Sequence, residues 1–226
     1  MDSMRKVQAK VLNNFSTKLN TRFLAIATFL FFLISAAPAF AHHPMGGKTP
    51  STLLEGFLSG LAHPIIGFDH FSFVVALGLI TSLKTQGIWI PFGFLLAAMV
   101  GAGLHLNNVS LPIVELIVSG SILLFGGLIV IKNSPKTPVI LAIATIAGLF
   151  HGHAYAEAIF GAQITPLISY LIGFTLIQMV IAGSAYAIAK RFLNPANLRS
   201  AGFVICGVGL SFLSTQVVNL ILPLPQ

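Results

Sequence analysis

Apolar positions in this chain come in long continuous runs, not in the alternation of a half-buried strand. Runs at roughly 66 to 83, 88 to 106, 111 to 131, 138 to 160, 164 to 189 and 201 to 222 are separated by short polar or Pro/Gly-containing breaks. Each is near the length of about 20 residues that a helix needs to cross about 30 Å of hydrocarbon, so the pattern predicts six transmembrane helices. Before them, Ser51 to Ala62 is amphipathic and predicts a short interfacial or re-entrant helix. Pro64 and Gly67 are expected to break it from the first span, because a single helix from Ser51 to Leu83 would be about 50 Å long. The fold class is therefore all-α and integral to a membrane, with residues 42–226 forming one six-helix domain.

The first 41 residues read as a secretory signal. A basic segment ends at Arg22, an apolar segment runs from Phe23 to Ile34, and Ala39-Phe40-Ala41 supplies the small-x-small pattern that signal peptidase cleaves. Cleavage leaves His42 at the new N-terminus; the alternative is an uncleaved first helix, for which the apolar segment is short.

Composition supports a bilayer environment. Only 8% of residues are charged and 56% are hydrophobic, with a mean hydropathy of +0.94. A soluble domain is usually about a quarter charged. The net charge of +7 does not indicate nucleic-acid binding, because Arg5, Lys6, Lys10, Lys18 and Arg22 are concentrated at the N-terminus and no basic-aromatic surface pattern follows. The single cysteine, Cys206, lies in an apolar run and reads as a small core residue.

Loop charges set the expected orientation. Lys84 follows the first span, Lys132 and Lys136 the third, and Lys190, Arg191 and Arg199 the fifth, whereas the loops after the second and fourth spans carry no Lys or Arg. The positive-inside rule places the charged loops in the cytoplasm and both mature termini outside, as expected of a multi-pass protein of a bacterial inner membrane.

With that orientation, the histidines and carboxylates of the mature chain gather on one side. Entering from the cytoplasm at Pro138, the fourth span carries His151 about 20 Å inward and Glu157 close to the outer surface. Asp69 and His70 open the first span from outside, His105 closes the second there and Glu115 opens the third; His42, His43, Glu55 and His63 precede the first span. Ordinary polar packing would scatter such groups through both leaflets, and a proton relay would extend across the membrane. A one-sided cluster fits capture of a cation from outside. Imidazole with carboxylate favours nickel, cobalt, zinc or copper over magnesium and calcium. Within the fourth span His153 and Glu157 share one helix face and His151 and Tyr155 another. The candidate ligands are His63, Asp69, His70, His151, His153, Glu157, His42, His43 and His105.

Several of these residues have a second reading. His42-His43 at a free terminus would make a chelate suited to nickel or copper, or be incidental; His105 would be a ligand or an interfacial helix end. Glu115 reads as a first-turn carboxylate favoured by the helix dipole, Glu55 as part of a solvated face, and Gln178 as a helix–helix hydrogen-bonding group. Gly60-Leu61-x-His63 with Asp69, and Gly148-Leu149-x-His151 with Glu157, repeat at an offset of 88 residues. Placing both motifs on the outer side argues against an inverted repeat, which would put the second near the cytoplasm.

His63-Pro64-x-x-Gly67-x-Asp69-His70 in the first span, and His151-Gly152 followed by Glu157 in the fourth, resemble the HupE/UreJ family of small membrane proteins. The resemblance covers the whole mature chain. It implies a secondary permease for nickel, or in some members cobalt, linked to hydrogenase, urease or cobalamin pathways. It implies His63, Asp69, His70, His151 and Glu157 as site residues. In the family's second motif a further histidine stands where this chain has Tyr155, and a glycine where it has Ala156. No prosthetic group is expected; the ion, Ni²⁺ or Co²⁺, is cargo, and the other partner is the lipid bilayer. No phosphate-binding Gly-x-x-x-x-Gly-Lys-Ser/Thr loop is present. The alternatives are an intramembrane metal-dependent enzyme, for which His-Glu-x-x-His is missing, and an accessory protein that binds metal without moving it.

Overall fold

A computed structural model describes residues 49–222. The expected signal peptide, His42 and His43 lie outside the described residues. Those that are described form seven α-helices: α1 (Leu53–Ile66), α2 (Phe68–Ser82), α3 (Trp89–Leu106), α4 (Val114–Val130), α5 (Thr137–Ala156), α6 (Ile164–Phe192) and α7 (Pro195–Ile221), with a 3₁₀ turn at Glu157–Ile159. No strand occurs among them. Four helices, α3, α5 with its 3₁₀ turn, α6 and α7, are long and apolar enough to cross a membrane, and the bent pair α1–α2 makes a fifth candidate. The third expected span is the 17-residue helix α4, about 26 Å long and shorter than the hydrocarbon layer.

α1 starts at a capping box. The Thr52 hydroxyl accepts from the Glu55 backbone N–H at 3.2 Å, while the Glu55 carboxylate accepts from the N–H groups of Thr52 and Ser51 at 3.3 and 2.8 Å. Glu55, expected on a solvated face, thus completes the capping box as its N3 residue. The expected break at Pro64 is not found: the helix runs through Pro64 to Ile66, and the chain turns by 78° at Gly67 alone. Pro64 lies near the helix end, where a missing backbone donor disturbs little of the helix that follows. Gly67 is required by a close approach. A Cβ there would lie 2.8 Å from the His70 ring and 3.3 Å from the Asp69 carboxylate.

α2 is the central helix, buried nearly all round, as its uninterrupted apolar sequence demands. Its hydroxyls are satisfied within the helix, Ser72 donating to the Phe68 carbonyl and Thr81 to that of Leu77. Around α2 the most extensive pairings are α3 with α5, α4 with α7, and α1 with α6. Small residues make the seams. Gly148 and Gly152 of α5 meet the carbonyls of Phe94 and Ala98 on α3, and Gly101 of α3 meets the backbone of Leu149 in return. Gly56 and Gly60 bring α1 onto the backbone of Pro166 and Tyr170 in the same way. The glycine three residues before each motif histidine therefore has the same job in both motifs. It lets its helix come close enough to a neighbour to bury His63 and His151.

At the far end of α2, Lys84 donates to the carbonyls of Ser134 and Pro135 and to the Ser134 hydroxyl, and the Thr137 hydroxyl donates to the Thr85 carbonyl at 2.8 Å. Partial burial draws the Lys84 ammonium below its ordinary pKa. Two of the three loops expected on the cytoplasmic side thus meet at one end of the bundle. The histidines gather at the other.

Candidate metal centre

Bending at Gly67 points the start of α2 at the end of α5. His70, 4% exposed, faces His151, which is completely buried, with the two Nδ1 atoms 3.2 Å apart. The hydrogen bonds around Ser121 favour one tautomer of His151. The Ser121 hydroxyl donates its single proton to the Val118 carbonyl at 2.6 Å, so at His151 Nε2, 2.9 Å away, the hydroxyl oxygen accepts. With that donation, His151 carries its proton on Nε2 and presents the Nδ1 lone pair to His70. Asp69 accepts from the His70 backbone N–H at 2.8 Å and holds its other oxygen 3.9 Å from His70 Nε2, bringing negative charge to the pair.

Aromatic rings enclose this pair. His63 is 4% exposed, with its ring centroid 5.7 Å from that of His70 and 5.4 Å from that of Tyr155. The Tyr155 ring lies 4.2 Å from His70, and its hydroxyl is buried without a hydrogen-bond partner among the described residues. Tyr170 supports it from α6 by donating to the Tyr155 carbonyl at 2.9 Å. Toward the bundle interior, Phe73, Phe94 and Phe125, all fully buried, form a floor, with Phe73 4.3 Å and Phe94 5.6 Å from the His151 ring. Gln178, also fully buried, donates to the Phe174 carbonyl of its own helix, so the helix–helix bond expected of it is not formed by that amide nitrogen.

His153 does not join this pair. It meets His105 of α3, Nδ1 to Nδ1 at 3.3 Å, and its Nε2 lies 3.0 Å from the Val109 carbonyl. α5 ends at Ala156, so Glu157 opens the 3₁₀ turn and is exposed instead of continuing the His153 face. Glu115 lies within electrostatic range of both Asp69 and Glu157, which brings it to the same end as the histidines. The residues expected to form one site are thus divided between two histidine pairs. Among the described residues, no three His, Cys, Asp or Glu side chains stand together ready to hold an ion.

Sequence reasoning missed Ser121 and the phenylalanine floor, whereas Glu115 stands in the first turn of α4 as expected. A serine within the apolar run of α4 was a usable signal for the first. Nothing in the spacing of Phe73, Phe94 and Phe125 announces that they meet.

Comparison with known proteins bears directly on this arrangement. The model of the family described as HupE / UreJ protein matches residues 30–212. The chain belongs to the HupE/UreJ family. It is 29% identical over 183 residues to Protein HupE of Rhizobium leguminosarum bv. viciae, covering 79% of this chain and 92% of that protein. No solved structure matches. Family and apolar helices together mark a multi-pass membrane protein. The HupE/UreJ match includes both histidine pairs, the bend at Gly67 and the aromatic floor.

Proposed function

We propose that this HupE/UreJ member is a secondary permease that takes up nickel or cobalt ions across the bacterial inner membrane. The carrying observation is the His70–His151 pair, buried at one end of the bundle with its two Nδ1 atoms facing each other. Two imidazoles bound to one tetrahedral ion at about 2.0–2.1 Å stand about 3.3 Å apart, close to the 3.2 Å separation here. Imidazole selects late first-row divalent ions over magnesium and calcium, and Asp69 supplies charge to offset the desolvation of the ion.

Two side-chain ligands hold an ion loosely, and transport needs binding weak enough to release. His63, Asp69 or water has to move in to complete the coordination. Below the pair, the phenylalanine floor closes the route, so passage requires the helices around α2 to repack. The loop end carrying Lys84, Lys132 and Lys136 has no described histidine or carboxylate to retain the ion. In this reading residues 1–41 are a cleaved signal peptide, six spans follow, with α4 as the short one, and both mature termini lie outside. The supplied metal serves hydrogenase, urease or cobalamin pathways.

Uptake of radioactive nickel and cobalt into cells tests the proposal, comparing the wild type with His63→Ala and His151→Ala. The wild type is expected to accumulate metal and both variants to lose that ability. Metal binding without accumulation by the wild type would leave an accessory binding protein in place of a permease.

A further inference from the structure

His153 and His151 are two positions apart on α5, which turns their side chains about 200° from each other. They cannot hold the same ion. His151 faces α2 and α4, whereas His153 faces α3 and the loop after it. That loop is built to receive it. α3 ends in a Schellman turn, with the Val109 N–H donating to the Leu104 carbonyl at 3.0 Å, the Asn108 N–H to the His105 carbonyl at 2.9 Å, and Asn108 in the left-handed region at φ 60°. The turn brings the Val109 carbonyl to His153 Nε2. A carbonyl only accepts, so Nε2 carries the proton and the Nδ1 lone pair is directed at His105. A histidine ligand oriented by a backbone carbonyl on its other nitrogen is the usual arrangement in metal sites.

We propose that His105 and His153 form a second binding station for a divalent late first-row ion, separate from the His70–His151 pair. Their Nδ1 separation of 3.3 Å fits two imidazoles on one tetrahedral ion at about 2.0–2.1 Å. His105 needs only to carry its proton on Nε2 for both lone pairs to face the ion. Water completes the coordination, and Glu157, exposed and within electrostatic range of His105, supplies negative charge. His105 is half-buried whereas His151 is fully buried, so the outer pair is the one an arriving ion reaches with part of its hydration shell in place. The station stands or falls independently of transport through the inner pair.

Cobalt(II) is the probe, because a four-coordinate Co²⁺ ion absorbs visible light strongly. Purified full-length protein in detergent is titrated with Co²⁺ and the bound ion counted by equilibrium dialysis. The wild type is expected to bind two ions and His151→Ala one, which retains its visible band; His151→Ala with His105→Asn is expected to bind none. Thermal unfolding of each variant checks its fold, and His153→Asn replaces His105→Asn if the latter unfolds. A His151→Ala variant that binds no Co²⁺ overturns the proposal, as does a folded double variant that still binds one ion. Nickel uptake by the same proteins separates the two readings: one ion retained by His151→Ala upholds the outer station even if no protein transports.

Discussion

Ser121 touches no ion in this account, yet Ser121→Ala should impair metal handling. The substitution removes one oxygen from a 7% exposed side chain on α4 and leaves the packing volume nearly unchanged. His151 Nε2–H then has no acceptor. Two outcomes are open to the ring. Keeping the proton on Nε2 leaves a buried donor unsatisfied, at a cost of about 1–3 kcal/mol. Moving it to Nδ1 lets it donate to His70 at 3.2 Å, but the lone pair needed by the ion is then occupied. Both outcomes weaken binding, and the loss of a group that orients a histidine ligand typically costs about 10–100-fold in metal affinity. Concentration dependence of ⁶³Ni uptake is the assay, with Ser121→Thr as the control that keeps the hydroxyl. Half-saturation is expected to rise by about 10–100-fold in Ser121→Ala and to return toward the wild-type value in Ser121→Thr. An unchanged half-saturation in a folded Ser121→Ala protein would refute the tautomer argument.

Other substitutions test the packing and the enclosure of the site. Gly152→Ala places a Cβ against the backbone of Ala98, which has no flexible end to yield, so unfolding should move to lower temperature by an overpacking cost of about 1–3 kcal/mol or more. Gly120→Ala meets nothing within 4 Å and should stabilise α4 by up to about 1 kcal/mol; equal thermal shifts for the two would contradict the α3–α5 seam. Phe73→Ala removes the ring closest to His151 within the floor, and proteoliposomes should then leak ions such as K⁺ that the wild type excludes; unchanged permeability would remove the floor from the account. Tyr155→Phe deletes a buried hydroxyl that has no hydrogen-bond partner among the described residues. Its thermal stability should match or exceed that of the wild type, and a loss of more than about 1 kcal/mol would show that the hydroxyl is satisfied.

Helix content was legible because each span is a long apolar run, and the gathering of the described histidines at one end followed from their positions along alternating helices. Partner choice was not legible, because it depends on how each helix is rotated. His153 was expected to share a face with Glu157 within one helix, but α5 ends between them and His153 turns to α3. Pro64 marked a break in the sequence, yet the turn falls three residues later, where the His70 ring folds over Gly67. Small residues in Gly148-x-x-x-Gly152 did carry a readable packing signal, the spacing that lets membrane helices approach closely. The repeated Gly-Leu-x-His pattern has a local physical basis: both glycines sit at helix contacts, and both following carboxylates lie just beyond a helix end.

On the proposed route an incoming ion passes between His70 and His151. Initial rates of ⁶³Ni entry into proteoliposomes containing the purified wild type, His70→Ala or His151→Ala, each shown to be folded, test it most directly. Saturable entry is expected with the wild type, and entry no faster than into protein-free liposomes with either variant. Wild-type rates from a folded His151→Ala protein would contradict it.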